Sequence, residues 1–532
     1  MSVSRDYVVI GAGSAGCVVA ARLAEDPGVT VTVLEAGPPD TDPQIEIPLA
    51  FGMMLKSRID WDLGTEPEPG LDGRRAYLPR GKVVGGSSSL NAMIYMRGNR
   101  ADYDEWEAAG AAGWGYEDVL PYFKRAEDNS RGADAYHGAG GPLSVTDHAS
   151  PEPFVDTMLQ AGLEYGLAAN ADPNGARQDG AGRWQATIRG GRRCSAARAY
   201  LHPAVARGNV EVVTGALVTR IVFEGSRAAG AEFLKDNALR QVRADREVII
   251  SAGAYGSPQL LLLSGIGPAA ELAGHGIGVR EELPVGRGLQ DHLVVSGVWL
   301  TGQSGLTAQM TPANLDRFAR DGTGPYSSNV GEGGAFVRTR DGLDAPDVQC
   351  VFAPLALHQE LTGPLPGPGY SLSPYILKPA SRGAVTLRTP LPHSKPRIRH
   401  NYLAAENDRR SMIGGLRFAL AVNRQPALRA VRAAPFLVPA SDSDHDLLDF
   451  IQRHAHTVYH PASTCAIGQV VDPELRVYGI DALRIADTSI MPTVPRGNTN
   501  APAIMIGEKA ADLIRGLPPL PRRERSAADA RA

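Results

Sequence analysis

The stretch YVVIGAGSAGCVVAARLAEDPGVTVTVLE, residues 7–35, constrains the fold of this 532-residue chain more than any other. An apolar run at 7–10 leads into Gly11, Gly13 and Gly16 in G-x-G-x-x-G spacing, then a helix-compatible segment, then a Val-rich run at 29–34 that ends on Glu35. That order predicts a βαβ unit with its chemistry at the first turn. The first glycine permits a tight strand-to-helix turn, the second lets a pyrophosphate approach the backbone, and the third lets helix and strand pack closely. Phosphate oxygens then meet free N–H groups at the helix start. Glu35 stands where an acid can accept hydrogen bonds from both ribose hydroxyls, so the expected ligand is a dinucleotide.

The remaining chain is long enough for more than one core. With 43% hydrophobic and 21% charged residues and a net charge of −4, it gives no reason to expect a nucleic acid partner. Cys17, Cys194, Cys350 and Cys465 form no C-x-x-C pair, so neither a zinc site nor a disulfide framework is suggested, and no metal is expected. The simplest home is a reducing cytoplasm. The first strand lies too near the start to leave room for a signal peptide, and no apolar run reaches the ~20 residues of a spanning helix. Peripheral membrane contact stays open.

Further along, AGPPDTDPQIEIPLAFGMM reads as a Pro-rich loop, and LPRGKVVGGSSSLNAMIYMRG as a second glycine turn that opens an apolar helical stretch. Amphipathic helices are expected over 102–128 and 152–169. Short strands follow at 210–214 and 217–223. EVIISAGAYGSPQLLLLSGIG predicts a third strand and a helix capped by Ser257 with Pro258 at its first position. Between about 295 and 400, the runs VWL, GAFVRT, DVQCVFAPLAL, GYSLSPYIL and RGAVTLR predict a second, largely antiparallel sheet. Helical patterns follow at 407–423 and 444–456, and a last helix in NTNAPAIMIGEKAADLIRG.

Three of these blocks resemble the signature motifs of the glucose-methanol-choline (GMC) flavoprotein oxidoreductases. They are GKVVGGSSSLNAMIYMRGNRADYD, GAYGSPQLLLLSGIG, and the pair YHPASTCAIG with ADTSIMPTVPRGNTNAPAIMIGEKAADLI. The likeness spans nearly the whole chain and is strongest to the choline dehydrogenase and alcohol dehydrogenase branch. It implies FAD. It also implies an α/β fold in which a Rossmann-like FAD-binding domain with a mostly parallel sheet is interleaved with an α+β substrate domain built on an antiparallel sheet. The FAD-binding parts are expected at 1–150, 201–295 and 466–516, substrate-domain helices at 151–200, the substrate-binding part at 296–465, and a disordered tail at 517–532.

The cofactor-binding set is then Gly11, Gly13, Ser14, Ala15, Gly16, Glu35 and Ala36 at the first corner. Val84, Gly86, Ser87, Asn91 and Met93 belong to the second, and Val218, Ala252 and Asp487 to later ones. By motif position Asn91 lies along the flavin, Val218 meets the adenine and Asp487 the ribityl or pyrophosphate region. Some family oxidases carry a flavin-bonded histidine just before that asparagine. Here the residue is Leu90, which implies dissociable FAD. Ser463 and Ala466-Ile467 depart from the more frequent text HPxGTCxMG.

Oxidising an alcohol on a flavin needs a group that takes the hydroxyl proton while a hydride leaves the carbon. Of the twelve histidines, His460 lies within the family's active-site motif, followed by Pro461, and is the expected base. Asn500 matches the family's second active-site residue and could donate to the alcohol oxygen, or cap the last helix. His454 and His456 read as structural or surface residues.

A choline substrate would need an aromatic box and a carboxylate, for which Trp61, Tyr326, Glu332 and Phe352 are candidates. AFGMMLKS and FAPLAL instead offer surfaces for an apolar alcohol. The expected activity is oxidation of a primary alcohol to the aldehyde, with choline oxidation to betaine aldehyde as the alternative and a hydroxynitrile-lyase-type reaction behind it. The partners are a small alcohol and an electron acceptor such as oxygen, a quinone or a dye.

Overall fold

The computed structural model describes residues 3–303, 305–357 and 365–523. The predicted first corner is present: strand Val3–Ile10, helix Ser14–Leu23 and strand Val31–Glu35. The all-buried pattern of Val31–Glu35 is what a strand covered on both faces requires. Four parallel strands lie in the order Val210–Thr214, Val31–Glu35, Val3–Ile10, Ala238–Ile250. The free edge of Ala238–Ile250 is then divided. Its first half pairs antiparallel with Arg227–Lys235, and Val248 to Ile250 pair parallel with Leu483–Ile485. The chain therefore returns to this sheet three times, at about 210, 250 and 485, and each parallel return ends at the same rim.

The second sheet is antiparallel, in the order Arg432–Leu437, Gly297–Thr301, Gly369–Ile376, Val348–Ala353, Gly333–Val337, Gly180–Arg183. Leu293–Val294 pairs with its Tyr375 and also with His456–Thr457. Helices Pro153–Glu164 and Glu406–Asn423 bury Phe154, Met158, Met412 and Leu416 against it. The strand within RGAVTLR is not part of this sheet. Gly383–Thr386 instead joins Arg287–Leu289 and Arg397–Arg399 in a small sheet of its own.

Other sequence expectations shift locally, each for a visible reason. The glycine turn at 85–86 opens only the 3-10 turn Gly86–Ser89, not a helical stretch. Beyond it the backbone is not helical: Met93 takes φ +55°, and Tyr95 N–H and Met93 C=O bond to Gln185 and Thr187. The helix assigned to begin at Pro258 begins at Gly253, so Pro258 lies inside it. The Ala254 carbonyl that faces proline's missing N–H accepts the Thr464 hydroxyl at 2.7 Å instead. The 102–128 region divides into Arg100–Ala108 and Tyr116–Ala126. Of the tail expected from 517, residues up to 523 are described. Arg522 Nε reaches Asp118 at 2.6 Å and Leu520 packs on the main core.

The last helix, Asn500–Arg515, lies across Ser14–Leu23. Gly507 allows this, since a Cβ there would stand 2.8 Å from Ala15 O and from Val18 Cβ. The buried carboxylate of Glu508 locks the crossing by accepting from Arg22, Arg125 (Nε at 2.7 Å) and the Tyr200 hydroxyl at 2.7 Å. Among the described residues no helix is long and apolar enough to cross a membrane.

The third fingerprint glycine has no room for a side chain, since a Cβ on Gly16 would lie 2.0 Å from Gly11 O. Gly16→Ala should therefore lower the unfolding free energy by about 3 kcal/mol or more, read as a shifted denaturant midpoint.

Candidate active site

The rim where the parallel strands end opens into a cavity of about 550 Å³ that continues to the face of the antiparallel sheet. Gly11, Gly13, Ser14, Ala15, Glu35, Ala36 and Val218 line one end. Gly86, Ser87, Asn91, Met93, Ala252 and Asp487 line the middle, and His460 and Asn500 also border it. Two predicted contacts do not reach the cavity. Gly16 lies beneath the first turn, and Val84 is part of the main core, its N–H bonded to Pro38 O at 3.1 Å.

The first end is built from backbone. Gly11 takes φ +101°, and a Cβ on it would lie 2.5 Å from Ser251 O. Gly86, at φ +52°, faces Gly13 so closely that a Cβ would come within 2.6 Å of its Cα. Neither helix Ser14–Leu23 nor helix Asn500–Arg515 has a side-chain cap, so both present free N–H groups and a positive dipole end beside the cavity. Glu35 is fixed at its mouth by the N–H groups of Ala12 (2.9 Å) and Gly37 (2.8 Å). Burial pushes its carboxyl up to about 7. Asp487 accepts from Gly253 N–H at 2.9 Å, the Ser257 hydroxyl at 2.5 Å and Ser489 N–H at 2.8 Å, and so ties the third corner to the last strand. Uncapped helix starts, a glycine cradle and an acid at the end of the second strand fit an adenine dinucleotide.

Behind the middle of the cavity, buried Arg193 clamps the second glycine turn. It donates to Ile45 O (2.8 Å), Ser88 O (3.2 Å) and both oxygens of Asn91 (2.6 and 2.9 Å). No sequence motif pointed to it, because its partners are carbonyls brought in by two separate segments, at residue 45 and at 88–91.

At the other end His460 is buried, and among the described residues its ring nitrogens meet only neutral groups. Nδ1 lies 2.9 Å from His292 Nδ1, and Nε2 lies 3.2 Å from Asn498 Nδ2. Burial, then the neighbouring His292, then Arg80, hold its imidazole well below the ordinary 6.5. The residue against His460 is thus Asn498, two positions before the Asn500 that motif matching selected. Asn500 accepts from Ser14 Oγ at 2.7 Å across the helix crossing, and Thr499, not Asn500, occupies the cap position of the last helix. Two residues of offset separate these roles because the turn into the helix starts between them.

The loop bearing His460 runs antiparallel to residues 288–292. Gln290 and Ala462 exchange backbone hydrogen bonds at 3.1 and 3.0 Å, and Val458 N–H reaches His292 O at 3.0 Å. Asp291, fully buried, accepts from the N–H groups of His292 (3.0 Å) and His460 (2.8 Å), and from Tyr402 Oη (2.6 Å) and Thr457 Oγ1 (2.5 Å). Sequence reading singled out neither Asp291 nor His292. The only signal was two adjacent ionisable residues before a strand, and no spacing rule links them to residue 460.

Ile94, Val294, Val351, Val458 and Tyr375 cluster beside His460 and line the cavity there. Met93 (φ +55°), Val330 (φ +67°) and Tyr459 (φ +71°) line it too, backbone conformations that L residues rarely adopt and that collect at functional sites. Ser463 (φ +76°) stands in the same region where the family text has glycine. Its hydroxyl accepts from Gln290 Nε2 at 3.3 Å. Of the four choline candidates only Trp61 lines the cavity, and Lys82 already sits over its ring, 4.9 Å from the centroid. Phe352 is in the core of the antiparallel sheet, Tyr326 packs beside Leu306 and Leu355, and Glu332 is paired with Arg183 at 3.0 Å.

Gly13 differs from Gly16 in that a Cβ would meet nothing nearer than Ser251 O at 3.8 Å. Gly13→Ala should fold with an unchanged denaturant midpoint yet bind the dinucleotide about tenfold more weakly, about 1.4 kcal/mol, by flavin fluorescence titration.

Comparison with known proteins agrees with this geometry. The sequence models of the GMC oxidoreductase family match residues 5–294 and 379–507. The chain is 42% identical to the oxygen-dependent choline dehydrogenase of Brucella anthropi, over 97% of this chain and 96% of that protein. Among solved structures it superposes on a pyridoxine 4-oxidase from Mesorbium loti with a TM-score of 0.88, at 33% identity, covering 95% of this chain and 98% of the other. A variant of the formate oxidase of Aspergillus oryzae RIB40, solved to follow FAD modification, gives a TM-score of 0.91 at 27% identity, over 97% and 99% of the two chains.

Proposed function

The chain belongs to the GMC oxidoreductases, FAD-dependent enzymes acting on CH–OH donors, and we propose that this member oxidises an apolar primary alcohol to its aldehyde with His460 as the general base. The observation that carries the reading is a neutral, buried imidazole beside Asn498 at the apolar end of a cavity whose other end is a dinucleotide cradle. Bound FAD supplies the acceptor for the hydride leaving the carbinol carbon. His460 Nε2 accepts the hydroxyl proton, and Asn498 Nδ2 donates to the same oxygen and orients it without competing as a base. Closely packed Ile94, Val294, Val351 and Tyr375 keep water from the reacting atoms. The uncapped start of helix Asn500–Arg515 turns its positive end toward the cavity, where negative charge builds during the reaction. Leu90, just before Asn91, offers no nucleophile for a covalent bond, so the FAD is dissociable.

Choline, the second reading, is supported by the Brucella anthropi relative. It is disfavoured by the cavity's charges. The acids that line it among the described residues are Glu35, Asp60 and Asp487, and each is taken up by donors of this chain. Asp60 accepts the Tyr77 hydroxyl and the N–H groups of Lys56 (2.9 Å), Asp62 (3.0 Å) and Arg80 (2.9 Å). Arg80, Lys82 and Lys395 line the same cavity, so its acids leave no net negative charge to balance a quaternary ammonium.

In an anaerobic panel, apolar primary alcohols should bleach the flavin absorbance faster than choline does. Choline as the best substrate would reverse that order, and no bleaching with any alcohol would favour a lyase. His460→Ala should lower kcat about 10²-fold or more. Because the neutral imidazole is the active form and its protonation is displaced downward, kcat/KM should hold as pH falls through 6.5 and decline only at lower pH. Acid precipitation should leave the yellow colour in the supernatant; a yellow pellet would contradict the Leu90 argument.

A further inference from the structure

The proton positions in the buried pair His292 and His460 follow from a single backbone carbonyl. His292 Nε2 lies 3.0 Å from Leu377 O. A carbonyl oxygen only accepts, so that nitrogen carries hydrogen. Both rings are buried, among the described residues no carboxylate lies at hydrogen-bond distance from any ring nitrogen, and burial lowers both imidazoles, His292 to about 4. Each ring therefore holds one N-bound hydrogen at neutral pH. His292 Nδ1 is then a lone pair, and its 2.9 Å approach to His460 Nδ1 is a hydrogen bond only if His460 carries hydrogen on Nδ1. That leaves the lone pair of His460 on Nε2. The amide of Asn498 agrees with this assignment. Its Oδ1 lies 3.4 Å from both Tyr375 Oη and Gln349 Nε2, so its Nδ2 faces His460 as a donor.

We propose that His292 is a positioning residue which, backed by the Leu377 carbonyl, holds His460 in the Nδ1–H tautomer and so keeps the lone pair on Nε2, the nitrogen that accepts the substrate proton. The inference rests on the reading of His460 as the base and deepens it. In the other tautomer Nε2–H would point at the alcohol and no acceptor would remain on that side. A carboxylate at the same place would also fix the tautomer, but it would stabilise the imidazolium strongly and draw the ring toward its protonated form. A neutral imidazole sets the direction without adding that charge. Asp291 is adjacent in sequence, yet its four hydrogen bonds go to backbone N–H groups and hydroxyls, not to either ring.

The test uses the full FAD-loaded chain with ¹⁵N-labelled histidine, the signals of the two rings being assigned by their loss in His460→Ala and His292→Asn. The expected spectrum has hydrogen on Nδ1 of His460 and on Nε2 of His292; hydrogen on His460 Nε2 would overturn the proposal. Kinetics supply a second measurement. His292→Leu removes the acceptor and should lower kcat about 10²-fold with KM little changed. His292→Asn places an amide oxygen near the position of the lost Nδ1 and should recover most of that rate. A His292→Leu enzyme as fast as the wild type, or leucine and asparagine variants equally slow at equal unfolding midpoints, would also overturn it. The wild-type spectrum does not depend on any turnover. Failure to oxidise any alcohol would therefore count against the proposed function and leave the tautomer assignment to be judged by itself.

Discussion

A buried imidazole surrounded by neutral partners stays neutral, and this constraint organises the His460 end of the cavity. Removing His460 from water penalises its charged form, and among the described residues no carboxylate offsets that penalty at either ring nitrogen. Among the described residues the acid close by, Asp291, is spent on backbone N–H groups and hydroxyls. By accepting from the N–H groups of residues 292 and 460 it holds two segments 168 residues apart at a fixed separation, and the two rings then meet at 2.9 Å. Charge is used here to place the main chain while the two imidazoles are left uncharged. A buried carboxylate with four donors is well satisfied, whereas the same carboxylate against an imidazole would have changed its chemistry.

The other end of the cavity rests on a different constraint, the closeness with which backbones can approach. Gly11, Gly16 and Gly86 stand where any Cβ would overlap a main-chain atom, and the space they save is passed to the ligand side of the turn. Phosphate-binding capacity at this end needs no cationic side chain, because two uncapped helix starts supply N–H groups and partial positive charge. Those helices are held at a fixed crossing by Gly507 and by Glu508 with its arginines, so one buried ion cluster sets both the cradle and the turn that carries Asn498. The strained backbones of Met93, Val330 and Tyr459 lie on the same cavity wall, and such conformations persist only where surrounding packing over-determines them.

Much of this was legible in the chain itself. The fingerprint at 7–35 predicted strand, helix, strand and acid in the places they occupy, because each of its signals is local: strand burial, glycine spacing and helix length are decided within a few residues. The alternating runs between 295 and 400 predicted an antiparallel sheet for the same reason. Where the reading failed, a distant partner had intervened. Pro258 marks a helix start unless something else bonds the carbonyl it leaves free, and Thr464 does so. The segment after Gly86 has the composition of a helix, yet its bonds to Gln185 and Thr187 hold it in an irregular path. The strand at 383–386 alternates like its neighbours but pairs elsewhere, since alternation specifies a face and not a partner.

The sequence alone determined that the chain would carry a glycine-lined βαβ corner and a second sheet of antiparallel strands, because local periodicity and turn chemistry fix those features, and the family resemblance singled out His460 among the twelve histidines. Tertiary structure alone decided that Asn498 and not Asn500 faces the imidazole, that His292 stands behind it, and that Phe352, Tyr326 and Glu332 lie away from the cavity. Those outcomes depend on which carbonyl, ring or carboxylate arrives from a hundred or more residues away, and on a turn whose two-residue phase decides which side chain points inward. A contact of that kind leaves no spacing in the sequence from which it could be read.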